Sequence, residues 1–140
     1  MPAILRNILA VLAGGLVGGL VNGGLISIGP MIIPPPPGVD QSTPEGLIAG
    51  IHLLETKHFI FPYLAHALGT LVGAIVAVKI GVSHHILLAL VIGLMFLTGG
   101  LMMMFAVDGP AWFEYFDVLT AYLPMAWIGA KIAGAKRPSS

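Results

Sequence analysis

The chain has 140 residues, of which 57% are hydrophobic and 9% charged, with formal net charge zero and no cysteine. Soluble domains carry about 25% charged residues, so a surface facing water cannot be built here and the expected solvent is lipid. The same numbers exclude nucleic-acid binding by charge, and with it disulfides, thiolate metal sites and cysteine nucleophiles, and leave room for one small membrane domain, 1–140.

A membrane-spanning helix needs roughly 20 mostly apolar residues. The first such run extends from Ile8 to Gly29 without a charge. Arg6 ahead of it resembles a signal-peptide n-region. The run is long, however, and VNGGLISIGP offers no small-x-small cleavage site, so a retained helix is expected. Gly15, Gly19 and Gly23 repeat at intervals of four, a spacing that lets helix backbones approach closely.

Residues 30–58 form an outer segment. PPPP within it forbids helix and favours polyproline II. STPEGLIAGIHLLE then predicts a helix over 44–55, with Thr43 as cap, Pro44 at the first position and Glu45 at the positive dipole end. Leu47, Ile48, Ile51 and Leu54 would share one face and Glu45, His52 and Glu55 another. The reading is a short amphipathic helix lying at the outer interface, with a re-entrant loop as the alternative.

The second span runs from Phe59 to Ile80, with Ala65, Gly69, Gly73 and Ala77 as its small-residue stripe. Two stripes on adjacent helices predict that spans one and two pack together, while the second glycine face of span one leaves room for a homo-oligomer. The third span runs from Ile86 to Val107. The fourth runs from Tyr115 to Ala135, with Pro124 near its middle and Lys131 near its end. Trp112, Phe113, Tyr115 and Phe116 read as an aromatic belt at its mouth. The expected fold class is therefore an all-α membrane protein: an up-down bundle of four transmembrane helices plus one short amphipathic helix on the outer side.

Charge sets the expected orientation. Arg6, Lys79, Lys131, Lys136 and Arg137 fall on one side of such a bundle, which the positive-inside rule makes cytoplasmic, together with both termini. All six acids, Asp40, Glu45, Glu55, Asp108, Glu114 and Asp117, fall on the other side with Lys57.

Polar groups inside a membrane are costly and raise functional hypotheses. Asn22 and His66 each lie about seven residues from the outer end of their span, roughly 10 Å deep. Thr98 and Tyr122 fall at similar depth, which predicts a polar layer of Asn22, His66, Thr98 and Tyr122. It would serve either as interhelical hydrogen bonding or as a proton or solute path. Glu45, His52, Glu55, Lys57, His58 and Asp117 form an expected outer-surface polar cluster. His52, Glu55 and His58 are weak metal candidates, because their spacing matches no zinc signature. His84–His85 read as a headgroup turn, and Met102–Met104 as apolar packing. No cofactor is expected. The expected partners are the bilayer and other copies or subunits.

HLLETKHFIFPYLAHALGTLVGA, with IPPPPGVD before it and AYLPMAW after it, resembles a group of small bacterial four-span membrane proteins. The resemblance implies a bacterial inner-membrane protein and no particular activity. Three functions are carried forward. The first is a non-enzymatic protomer or accessory subunit. The second is a small dimeric transporter using Asn22, His66 and an acidic outer mouth. The third is a metal-dependent enzyme at His52, Glu55 and His58.

Overall fold

A computed structural model describes residues 1–135. Its elements are α1 (Ala3–Ile32), α2 (Pro44–Gly50), α3 (Ile60–Ile80), α4 (His85–Val107), α5 (Ala111–Thr120) and α6 (Leu123–Ile132), with 3₁₀ turns at Ile51–Leu53 and Thr56–Phe59. No strand occurs among the described residues. Three helices are long and apolar enough to cross a membrane: Ala3–Ile32, Thr56–Ile80 and His85–Val107.

The expected fourth span is not one continuous helix. It divides into α5 and α6, of ten residues each, at Ala121–Tyr122. Pro124 is the physical reason. It has no N–H for the Thr120 carbonyl, and its ring collides with that carbonyl in a continuing helix. At the start of α6 the same residue is well placed, because the first helical N–H has no partner anyway.

The outer helix is also shorter than expected. Thr43 Oγ1 accepts the Gly46 amide at 3.0 Å, and Pro44 occupies the first turn. The α-helix stops at Gly50, however, and the chain tightens into 3₁₀ before Leu54 and Glu55 extend. Gly50 lies against Val39, where an added Cβ would be 2.6 Å from a valine methyl carbon. The single helical face of Glu45, His52 and Glu55 therefore does not form. Before α2, the Ser42 hydroxyl and amide donate to Asp40 and hold its carboxyl below the ordinary carboxylate value.

Burial has the inside-out pattern expected of helices in an apolar solvent. The interior is alanine and glycine: Ala10, Ala65, Ala74, Ala77, Ala89, Ala126 and Ala130 are buried. The large apolar side chains point out, with Leu12, Leu16 and Leu20 of α1 60–68% exposed. In lipid the tails are as apolar as leucine, so association rests on close backbone packing.

α3 is the centre of the bundle, touching α1, α4 and α6. Its contact with α1 is antiparallel, pairing Gly14 with Gly73 and Gly18 with Gly69. A Cβ on Gly14 or Gly18 would lie 2.5 Å from the carbonyl oxygen opposite. The packed glycines of α1 are thus offset by one from the expected stripe. Gly15 meets only the end of Met95, and Gly19 and Gly23 have nothing within 4 Å. A helix advances 3.6 residues per turn, and two adjacent glycine rows cannot both face one neighbour. Gly69 and Gly73 do lie in the contact.

The α3–α4 turn is clipped to the start of α1. Arg6 Nε donates to the Ile80 carbonyl at 2.9 Å, and Asn7 bonds both Ser83 Oγ and the Val82 amide. α6 runs antiparallel to α4, with Gly93 against Ala126, and packs Gly129 on Leu71 and Ala74 of α3. Near its end, Lys131 lies 5.2 Å from the Trp127 ring.

This packing makes a direct prediction. Gly18→Ile should destabilise the protein by about 1–3 kcal/mol or more through overpacking. Gly19→Ile, one position away, should stay within about 0.5 kcal/mol. Thermal unfolding of both variants in the same detergent measures the contrast.

Candidate functional site

The buried polar groups converge where α3, α5 and the start of α6 meet. Thr56–Phe59 leads the chain into α3, and Pro62 falls in its first turn, where a missing N–H costs little. His66 follows one turn later. Thr70 Oγ1 donates back to the His66 carbonyl at 2.8 Å, so its hydroxyl is used within α3.

Asp117 comes from α5 and is 5% exposed. Its two carboxylate oxygens lie 2.9 and 3.0 Å from His66 Nδ1. The Tyr122 hydroxyl donates to Oδ2 of the same carboxylate at 2.8 Å. Tyr122 reaches back because the chain breaks there, with φ −114° and ψ −84°. Its ring stacks on the His66 imidazole at 5.7 Å between centroids. Gly100 of α4 makes room for it, since an added Cβ would overlap the tyrosine hydroxyl. A second link lies beside the first. Thr120 Oγ1 gives its proton to the Phe116 carbonyl, so the Tyr63 hydroxyl, 3.0 Å away, donates to Thr120.

An ionised carboxylate only accepts hydrogen bonds. Nδ1 of His66 therefore carries the proton in this arrangement, and Nε2 is left with no protein partner among the described residues. A carboxylate behind an imidazole orients the ring and stabilises its protonated form. The pair can thus take a hydrogen bond, or a proton, at Nε2.

His66 lines a cleft of about 720 Å³ bounded by α1, α3, α4, α5 and the outer segment. Its walls are mainly apolar, with Ile26, Phe61, Phe96, Met103 and Phe113 among them. Asn22 lines it too, packed against Gly69, with its Oδ1 buried and unpartnered.

Of the expected polar layer, His66 and Tyr122 meet through Asp117, and Asn22 faces the same cleft. Thr98 does not join them. It is exposed, and its hydroxyl donates to the Leu94 carbonyl of its own helix. Asp117 is not part of an outer-surface cluster. α5 starts at Ala111, four residues before the expected span, so Asp117 lies nearly two turns inside it. The signal was available: Phe113, Asp117 and Ala121 repeat at four-residue spacing on the inner face, with Trp112, Tyr115, Phe116 and Leu119 outward.

The outer cluster does not converge. Glu45 and His52 are exposed and separate. Lys57 and Glu55 form an exposed pair at 3.6 Å, a type worth little stability. His58 is buried and fully engaged: Nδ1 accepts the Glu55 amide at 2.8 Å, so Nε2 donates to the Pro34 carbonyl at 3.0 Å. It fastens the outer segment to the start of α3 and has no nitrogen left for a metal. No group of three or more histidine and acidic side chains suited to a metal ion occurs among the described residues. Lys136 and Arg137 lie outside the described residues.

Comparison with protein-family models, with curated proteins and with solved structures finds no match to this chain.

A double-mutant cycle on His66→Gln and Asp117→Asn tests the pair. Intramembrane hydrogen bonds average about 0.6 kcal/mol and reach about 1.7 kcal/mol. The coupling here should lie at the upper end, because both oxygens and a tyrosine share one buried carboxylate. A coupling near zero in unfolding measurements would remove the pair as a structural unit.

Proposed function

We propose that this chain is a small multi-pass membrane protein that binds a lipid-borne small molecule, with an apolar body and a hydrogen-bonding head, in the cleft beside His66. The observation that carries the reading is the cleft itself: mostly apolar walls with an oriented imidazole as polar wall. Its volume of about 720 Å³ suits a small-molecule ligand; such sites commonly measure about 300–1,000 Å³. A ligand of this kind reaches the site from the bilayer. The residues at the site offer binding and proton exchange, which suits a carrier or an accessory subunit.

The charges support a bacterial inner-membrane placement with cytoplasmic termini. Arg6 and Lys79 lie near the α1–α3–α4 clip, and Asp40, Glu45 and Glu55 lie towards the opposite end, with the cleft. In this reading α5 and α6 together complete the fourth crossing as a broken helix, packed so that neighbouring helices satisfy the freed backbone groups.

Gly99 supplies the test. It lines the cleft and has no atom within 4 Å of an added Cβ. Gly99→Phe should fill the cleft without disturbing the bundle. Native mass spectrometry of protein released from its membrane should find an apolar small molecule on the wild type and at least tenfold less on Gly99→Phe. Equal occupancy would contradict the reading.

A second reading rests on a separate observation. Gly19, Gly23 and Gly24 form an exposed row with no neighbour among the described residues. Such a row suits close approach of another copy. If it is a self-association face, Gly23→Leu should turn an oligomer into a monomer in sedimentation measurements in detergent, with unfolding unchanged.

A further inference from the structure

We infer that the head group taken by the cleft is a neutral hydroxyl on an aromatic ring, a phenol-type group, hydrogen-bonded to His66 Nε2. The inference rests on the cleft being a ligand site and names the class of ligand. It begins from the hydrogen-bonding roles left open. Asp117 already takes two donors, His66 Nδ1–H and the Tyr122 hydroxyl. His66 Nε2 remains, an acceptor in the neutral imidazole whose Nδ1–H points at Asp117. Asn22 also lines the cleft, and its buried Oδ1 has no partner among the described residues. An amide offers a donor on one side and an acceptor on the other, whichever way it is turned. A hydroxyl can donate to Nε2 and still keep an acceptor for an amide N–H such as that of Asn22. An ether, a ketone or an ester cannot donate to Nε2.

Charge narrows the class further. The carboxylate of Asp117 stands directly behind His66, so an anionic head would meet like charge in a region of low dielectric. Lys57 also reaches the cleft, but Glu55 already pairs with it at the exposed mouth. Glu114, likewise on the cleft wall, is held by the Gly109 amide.

The walls favour a ring. Phe61, Phe96, Phe113 and Tyr122 line the cleft, and Tyr122 already stacks on His66. Met95, Met103 and Met104 line it as well. Thioethers make favourable contacts with aromatic edges and adapt to irregular shapes. Aromatic pairs add attraction beyond the area they bury. An apolar tail on the ring would then extend along the wall of α1 and α4 into lipid.

The test uses the whole chain in lipid nanodiscs and radiolabelled para-dodecylphenol. Matched probes are its methyl ether, para-dodecylbenzoate and para-dodecylcyclohexanol. The phenol should bind the wild type at least tenfold more tightly than the ether, the benzoate or the cyclohexanol. Asn22→Leu and His66→Phe should each bring the phenol-to-ether ratio towards one, and Asn22→Leu keeps the test open if the histidine variant fails to fold. Equal binding of phenol and ether, both weakened by Gly99→Phe, would overturn the head-group assignment and leave the cleft standing. Equal binding of phenol and cyclohexanol would overturn the aromatic part, and tight benzoate binding the charge argument. Probe binding that is indifferent to Gly99→Phe would overturn the cleft reading itself.

Discussion

A carboxylate held inside a bundle of apolar helices is the constraint on which the rest of this structure depends. Asp117 is almost fully buried, and an isolated charge in such a place would cost several kcal/mol. Its two oxygens are met by one imidazole and one phenol. Each of those partners requires something further. Tyr122 needs a break in the helix to turn back, which Pro124 enforces, and a bare backbone at Gly100 to lie against. His66 needs α3 to be held against its neighbours, and the glycine contact with α1 does that. Losing either partner leaves the carboxylate with one donor instead of two.

The packing that carries this load is made of what side chains omit. Helices in lipid gain nothing from burying leucine, since lipid accepts leucine equally well. They gain from bringing backbones together, and glycine and alanine permit it. That is why the leucines of α1 point outward and the buried positions are mostly alanine and glycine, with Ile92 and Tyr122 the large exceptions that are fully enclosed. It also explains the cleft. Gly99, Asn22 and Ile26 are among the residues that line it.

Much of the fold could be read in the chain because lipid imposes length and composition directly. Three apolar runs announced themselves, and the Thr43–Pro44 helix start followed from local hydrogen bonding alone. The failures have local physical causes. A mean over the last twenty apolar residues conceals the break, because one proline decides it. The choice between Gly15–Gly19–Gly23 and Gly14–Gly18 depends on helix rotation, which no spacing within α1 fixes. His66 was legible as a buried polar residue. Its partner was not, because Asp117 was assigned to the surface along with the other acids. Reading α5 from Ala111 would have placed it inside. His58 shows the opposite case: a residue grouped with metal candidates is fully used as a backbone fastener.

The functional reading joins these points. Asp117 orients His66, the described residues leave Nε2 without a partner, and the proposed role of the cleft is to bring a lipid-borne molecule to it. Nitrogen-15 NMR of the His66 imidazole in nanodiscs tests this most directly. The expected result is a proton on Nδ1 with or without an occupant in the cleft, and an Nε2 resonance that shifts when para-dodecylphenol is added. A neutral ring with its proton on Nε2 and a bare Nδ1 facing Asp117 would contradict it.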